Sequence, residues 1–176
     1  MLVDLRDGTR IHIRPVRPDD KRLLARGLER LSEESRRRRF LAAKPRLSPS
    51  ELRYLTEVDG HDHIALVAVL ADEPATLVGV ARSVRLPEDP DTAEMAIVVG
   101  DEWQGRGLGT ILAEVLADAA ADTGIRRIAA TMLGDNHAAR RLVSQIAGHL
   151  AGGGRAVIHD DGVHRGVREL TVEVAA

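Results

Sequence analysis

Residues 93–120 read AEMAIVVGDEWQGRGLGTILAEVLADAA, an apolar strand-like run that passes through glycines at 105, 107 and 109 straight into a helix. Few folds accommodate a strand, a glycine-spaced turn and a helix in immediate succession, and all of them are α/β folds. Two familiar nucleotide loops are excluded by spacing. Gly-x-Gly-x-Gly lacks the third-glycine interval of the dinucleotide fingerprint, and no Lys-Ser/Thr follows as in a phosphate-binding loop. Here the glycines open the helix itself. Unpaired N–H groups of a first helical turn, partial positive charge from the helix dipole and the lack of side chains together suit an anion. A tight connection needed only for packing has the same spacing, so the loop alone leaves both readings open.

The rest of the chain supplies the layers around this unit. Residues 10–16 alternate as a strand, and a helix follows from RPDD to about Leu31 with Leu23, Leu24, Leu28 and Leu31 on one face. A short helix is expected after Ser32, and another from LSPSEL to near Val58. Residues 64–70 and 75–86 form a strand pair, PEDPD a turn, and 93–100 the next strand. A helix over 108–123 stops at Gly124, and 126–133 is nearly all apolar, as a buried parallel strand would be. A last helix spans 136–147 with Gly148 behind it, and a hairpin around Asp161-Gly162 closes the chain. The expected architecture is one mixed α/β domain over 1–176, with a mostly antiparallel sheet and one splayed parallel pair, 93–100 with 126–133.

Composition narrows function. Phe40, Tyr54 and Trp103 are the only aromatic residues, so the core must be aliphatic. With 25 basic against 27 acidic residues, a bulk electrostatic nucleic-acid binder is disfavoured. There is no cysteine, which excludes disulfides, thiolate metal sites and a cysteine nucleophile. No apolar stretch approaches the ~20 residues of a membrane span, and a cytoplasmic location is expected. His61-Asp62-His63, His159 and His164 lie in polar turns without a convincing third ligand, so no metal is expected.

Gln104-Gly105-Arg106-Gly107-Leu108-Gly109 resembles the Q/R-x-x-G-x-G/A motif of the GCN5-related N-acetyltransferases. The resemblance extends in order through DGTRIHIRPVRPDD, LSEESRRRRFL, the strand pair and LGDNHAARRLV, roughly residues 7–150, with a motif core over 91–150. The front portion is most similar to the acetyltransferase domains of bacterial protein lysine acetyltransferases. The resemblance implies acetyl-CoA as co-substrate, its pyrophosphate on the loop from Gln104 to Gly109 and Thr110. It also implies pantetheine contacts near Val98 and Val99 and a coenzyme A contact from Asn136, which by itself reads as a helix N-cap. Arg140 and Arg141, one turn later, either meet the nucleotide phosphates or are solvated.

Glu94 shares a strand face with Ala96 and Val98. A carboxylate among apolar neighbours should have a raised pKa suited to a general base, whereas a glutamate at the start of a strand can equally face solvent. The resemblance favours the base. It breaks down at Val143, where many relatives place a tyrosine that protonates the departing thiolate. The arginine run 36–39 reads as a solvated helix face; docking of an acidic substrate surface or of cofactor phosphates is the sharper alternative. The expected acceptor is a protein lysine, with a small amine (polyamine, amino acid or aminoglycoside) and a weakly catalytic acyl-CoA sensor as alternatives. No nucleic-acid or membrane partner is expected, and a monomer and a homodimer are both compatible with the sequence.

Overall fold

The computed structural model describes residues 1–152 and 155–174. Its elements run β1 (Leu2–Asp4), β2 (Arg10–Pro15), α1 (Lys21–Arg30), α2 (Glu33–Phe40), α3 (Pro49–Thr56), β3 (His63–Leu70), β4 (Leu77–Leu86), β5 (Asp89–Val99), α4 (Leu108–Asp122), β6 (Arg127–Leu133), α5 (His137–Ala151), β7 (Ala156–His164) and β8 (Val167–Val174). The strands join in one sheet in the order β1-β2-β3-β4-β5-β6-β8-β7. Every neighbouring pair is antiparallel except β5 with β6. This is the mostly antiparallel sheet with one parallel pair expected from the sequence.

Both faces of the sheet are covered, and β3 shows why. After His63 its sequence HIALVAVL is apolar without interruption, because Ile64, Leu66 and Ala68 join one core cluster while Ala65 and Val67 join the other. The larger cluster lies under α4 and α5. Leu108, Leu112 and Leu116, spaced four apart, are all 0% exposed there. Helix α4 lies so close to β4 that a Cβ at Gly79 would stand 2.9 Å from Leu112 Cδ1. The smaller cluster packs Leu24 of α1 with Leu52 and Leu55 of α3 against the opposite face. Asp20 locks α1 to the sheet. It is 7% exposed, takes a bidentate pair from Arg14 of β2 at 2.7 and 2.7 Å, and caps the Arg17 N–H at 2.7 Å.

Four boundaries differ from the sequence reading. Strand β1 was not foreseen; three residues at a sheet edge carry no periodic signal. Asp89 and Pro90 already belong to β5, so the PEDPD turn shrinks to Pro87-Glu88. Helix α5 runs through Gly148 and ends at Gly152, whose φ of 49° forms the left-handed cap. The closing hairpin turns at Arg165-Gly166, both with positive φ (53° and 83°), while Asp161-Gly162 falls at a register shift inside β7.

Candidate active site

Strands β5 and β6 pair only from Thr92 to Glu94 against Arg127 to Ala129. Beyond Glu94 the two diverge, and β5 is held by β4 alone, through Val99 opposite Gly79. A cleft of about 560 Å³ opens between the end of β5 and the N-termini of α4 and α5.

The glycine loop forms one wall. Gln104 fixes it by donating from Nε2 to the Val99 carbonyl at 3.1 Å and to Ser35 Oγ at 3.3 Å. Gly105 and Gly107 have φ of +74° and +95°, a conformation that other residues adopt only under strain. Gly107 is the N-cap of α4 and supplies no side chain to its first-turn N–H groups. A Cβ at Gly105 would meet nothing within 4 Å, at Gly107 only Arg6 Nε at 3.8 Å, and at Gly109 only Val99 Cγ2 at 3.8 Å. Nothing therefore presses against the bare side of the loop. Gly109 is the most telling, since neither backbone strain nor packing requires a glycine there. Packing alone does not account for this spacing, and an open helix N-terminus facing a cleft has the geometry that suits an anion.

Of the residues nominated from sequence, Val98, Val99, Gln104, Gly105, Gly107, Gly109, Thr110 and Asn136 line this cleft. Thr110 Oγ1 donates to Gln145 Oε1 at 3.0 Å, and Asn136 caps α5 by accepting from the Ala139 N–H at 3.1 Å. Three nominations need correction. Leu108 is 0% exposed, its side chain in the core, so only its backbone can serve the loop. Arg106 turns away, paired with Asp7 at 2.5 Å and stacked 4.8 Å over the Trp103 ring. Arg140 is exposed, and its charge acts on Asp160 instead; the adjacent Arg141 lines the cleft. Arg6, Arg38, Arg39 and Gln145 also line it. Arg6 carried no sequence signal, being remote from every motif.

Glu94 opens onto the other face of β5, into a pocket of about 270 Å³ shared with Arg39, Tyr54, Arg82 and Ala96. It is exposed, which corrects the apolar enclosure expected of it. Helix α2 is pinned above this region by Asp101, which accepts from the Ser32 N–H, Ser32 Oγ and Ser35 Oγ at 2.7 to 2.8 Å. That pinning leaves the end of the arginine run, Arg38 and Arg39, half-buried instead of fully solvated. Arg39 borders the glycine-loop cleft and the Glu94 pocket alike, so the two meet around it. Val143 is 5% exposed and packed in the core, and Tyr54, 56% exposed, lines the Glu94 pocket instead. His61 pairs with Asp62 and His164 with the Asp161 carbonyl; among the described residues no cluster of His, Asp and Glu could hold a metal ion. Among them, too, no helix is long and apolar enough to cross a membrane.

Four similarities bear on this geometry. Residues 27–149 match the model of the acetyltransferase (GNAT) family. The Acetyltransferase Pat of Mycolicibacterium smegmatis is 34% identical over 144 residues, 82% of this chain and 43% of that protein. The Acetyltransferase PA5475 of Pseudomonas aeruginosa is 32% identical over 139 residues, 78% of this chain and 74% of that one. Among solved structures, the GNAT domain of S. lividans PAT superposes with a TM-score of 0.84 at 30% identity, covering 99% of this chain and 96% of that domain. The chain thus spans less than half the length of the M. smegmatis relative.

Proposed function

The chain belongs to the acetyltransferase (GNAT) family, whose members use acetyl-CoA, and from that premise we propose that residues 1–176 form one N-acetyltransferase domain that acetylates a primary amine with Glu94 as general base. The acceptor is a protein lysine side chain, a reading supported by the resemblance of its front portion to bacterial protein lysine acetyltransferase domains. The observation that carries the proposal is the meeting of two features across β5: an open glycine cleft on one side and a carboxylate pocket on the other, joined at Arg39.

The residues present fit acetyl-CoA. The bare faces of Gly105, Gly107 and Gly109 receive the pyrophosphate, Arg141 adds charge, and Val98 and Val99 offer backbone groups to the pantetheine arm. Bound there, acetyl-CoA supplies a thioester carbonyl. A lysine ammonium has pKa ~10.4 and attacks only after losing a proton. Glu94 accepts that proton, directly or through water. The freed nitrogen pair then forms the C–N bond as the C–S bond breaks, its electrons leaving on sulfur. A thiol with pKa ~8.5 departs tolerably as thiolate near neutral pH, so an aliphatic Val143 does not block the step.

Glu94→Gln tests this. Turnover should fall by about 10²–10⁴-fold with acetyl-CoA affinity unchanged, and raising the pH should restore the variant more than the parent. Full activity of the variant at neutral pH refutes the base assignment. Acetylation mapped after incubation with a cell extract tests the acceptor: modification of free small amines only, never of proteins, refutes the lysine reading.

A further inference from the structure

The Glu94 pocket is lined by two guanidiniums, Arg39 and Arg82, and by a second carboxylate, Glu51, which is engaged by Lys44. Arg82 rises from the middle of β4 and is 4% exposed. One terminal nitrogen donates to the Leu55 carbonyl at 2.7 Å, the other lies against His63 Nε2, and its Nε is buried with no partner. Arg39 reaches the same pocket from α2, close enough that its charge acts on Arg82. Among the described residues neither forms an ion pair with a carboxylate; Glu94 is the acid whose charge reaches Arg39. Burial, followed by the charge of Arg39, brings Arg82 down to about 10, so it remains a cation at neutral pH. Burial and the neighbouring Arg82 hold His63 at about 4, leaving it a neutral acceptor that positions Arg82 without offsetting its charge.

Buried cations are costly unless paired. Buried Arg82, with an idle N–H, and half-buried Arg39 face one pocket and form a seat for an anion. The seat is distinct from the pyrophosphate loop. Arg82 stands opposite Ala96 in the β4–β5 register, and Glu94 stands opposite Val84, one step along the same face. Such diagonal neighbours lie ~7–8 Å apart, a span that a few covalent bonds cross.

We propose that this pocket selects acceptors bearing a carboxylate a few bonds from the amine, the carboxylate held by Arg82 and Arg39 while the amine meets Glu94. This rests on the acetyl-transfer reading above and refines its acceptor. The carboxylate can come from an aspartate or glutamate beside the target lysine, or from a small amino acid.

The test uses matched acceptor pairs with saturating acetyl-CoA. One arm compares lysyl peptides flanked by Asp or Glu with the Asn or Gln equivalents; the other compares amino acids with their decarboxylated amines. In at least one arm, kcat/KM should favour the acid-bearing member by about tenfold or more, as expected of a charge-assisted contact. In Arg39→Gln that ratio should collapse toward one, carried by KM, with acetyl-CoA affinity measured alongside. Arg82→Gln is the second variant, read only if its thermal transition shows it folded. Ratios near one in both arms for the unmodified protein, or a ratio that survives Arg39→Gln, overturn the proposal while leaving acetyl transfer intact. No acetylation of any member overturns both.

Discussion

Gly109 separates a ligand seat from a packing device more cleanly than any other residue of the loop. It is the second residue of α4, has no positive φ, and a Cβ there would make one ordinary contact, 3.8 Å from Val99 Cγ2. Gly107, at φ +95°, is unsuitable because any side chain is strained there. Gly109→Ala should raise stability by about 0.4–1 kcal/mol through the unfolded chain's lost freedom. Gly109→Asp should hold or gain stability, since a carboxylate in the first helical turn contributes about 0.3–1 kcal/mol with the dipole. For a chain of this size either gain is roughly 1–4 °C in thermal midpoint. Affinity for acetyl-CoA should move the opposite way. Alanine fills the approach to the N–H groups, and aspartate adds a negative charge facing a pyrophosphate, costing more than ~2 kcal/mol, or about 30-fold in Kd. Calorimetry and thermal melts on the same samples give both numbers. Unchanged acetyl-CoA affinity in a folded Gly109→Asp variant refutes the placement of the pyrophosphate on this loop.

Two further expectations concern the frame that holds the site. Asp20 is pulled in opposite directions, upward by burial and downward by the Arg14 pair and the Arg17 N–H, which prevail and hold it below 3.8. Its contribution is therefore present above the unfolded pKa and lost as pH falls through the lower folded one. Asp20→Asn should cost about 3 kcal/mol near pH 7, with the gap to the parent narrowing below about pH 4; a gap that widens in acid contradicts this account. Leu112→Ala should cost about 2.7–5 kcal/mol in denaturant melts, because its fully buried side chain is what α4 presses against Gly79; a loss under about 1 kcal/mol would mean the site collapses freely.

The succession of elements was legible because each carries its own periodicity. HIALVAVL declares a strand buried on both faces, and Leu108, Leu112 and Leu116 declare a helix stripe. Local conformations competing with a longer context were not legible. Asp161-Gly162 is the better hairpin pair by composition, yet the register that buries Leu170 and Val172 of β8 puts the turn at Arg165-Gly166 and leaves the stronger signal as a bulge. Gly148 fails to end α5 because Leu150, beyond it, packs against the core and carries the helix to Gly152.

The site divided along the same line. The glycine loop is a local object: its spacing marked it as a candidate, and the resemblance, not the spacing, favoured the anion over packing. The two-arginine pocket is not local: it joins residue 39 of a helix, 82 and 94 of two strands and 54 of another helix. In a linear reading Arg82 looks like an interruption of an apolar strand and Arg39 like the last of four solvated cations. Only the pinning of α2 through Asp101 to the segment leading into the glycine loop turns one face of that run inward. The same bonds connect the two halves of the site. Ser35 accepts from Gln104 and donates to Asp101, so the helix that delivers Arg39 is fastened to the glycine loop proposed to seat the pyrophosphate. Loop and helix therefore share one hydrogen-bonded junction, and that helix carries Arg39 to the pocket that also holds Glu94.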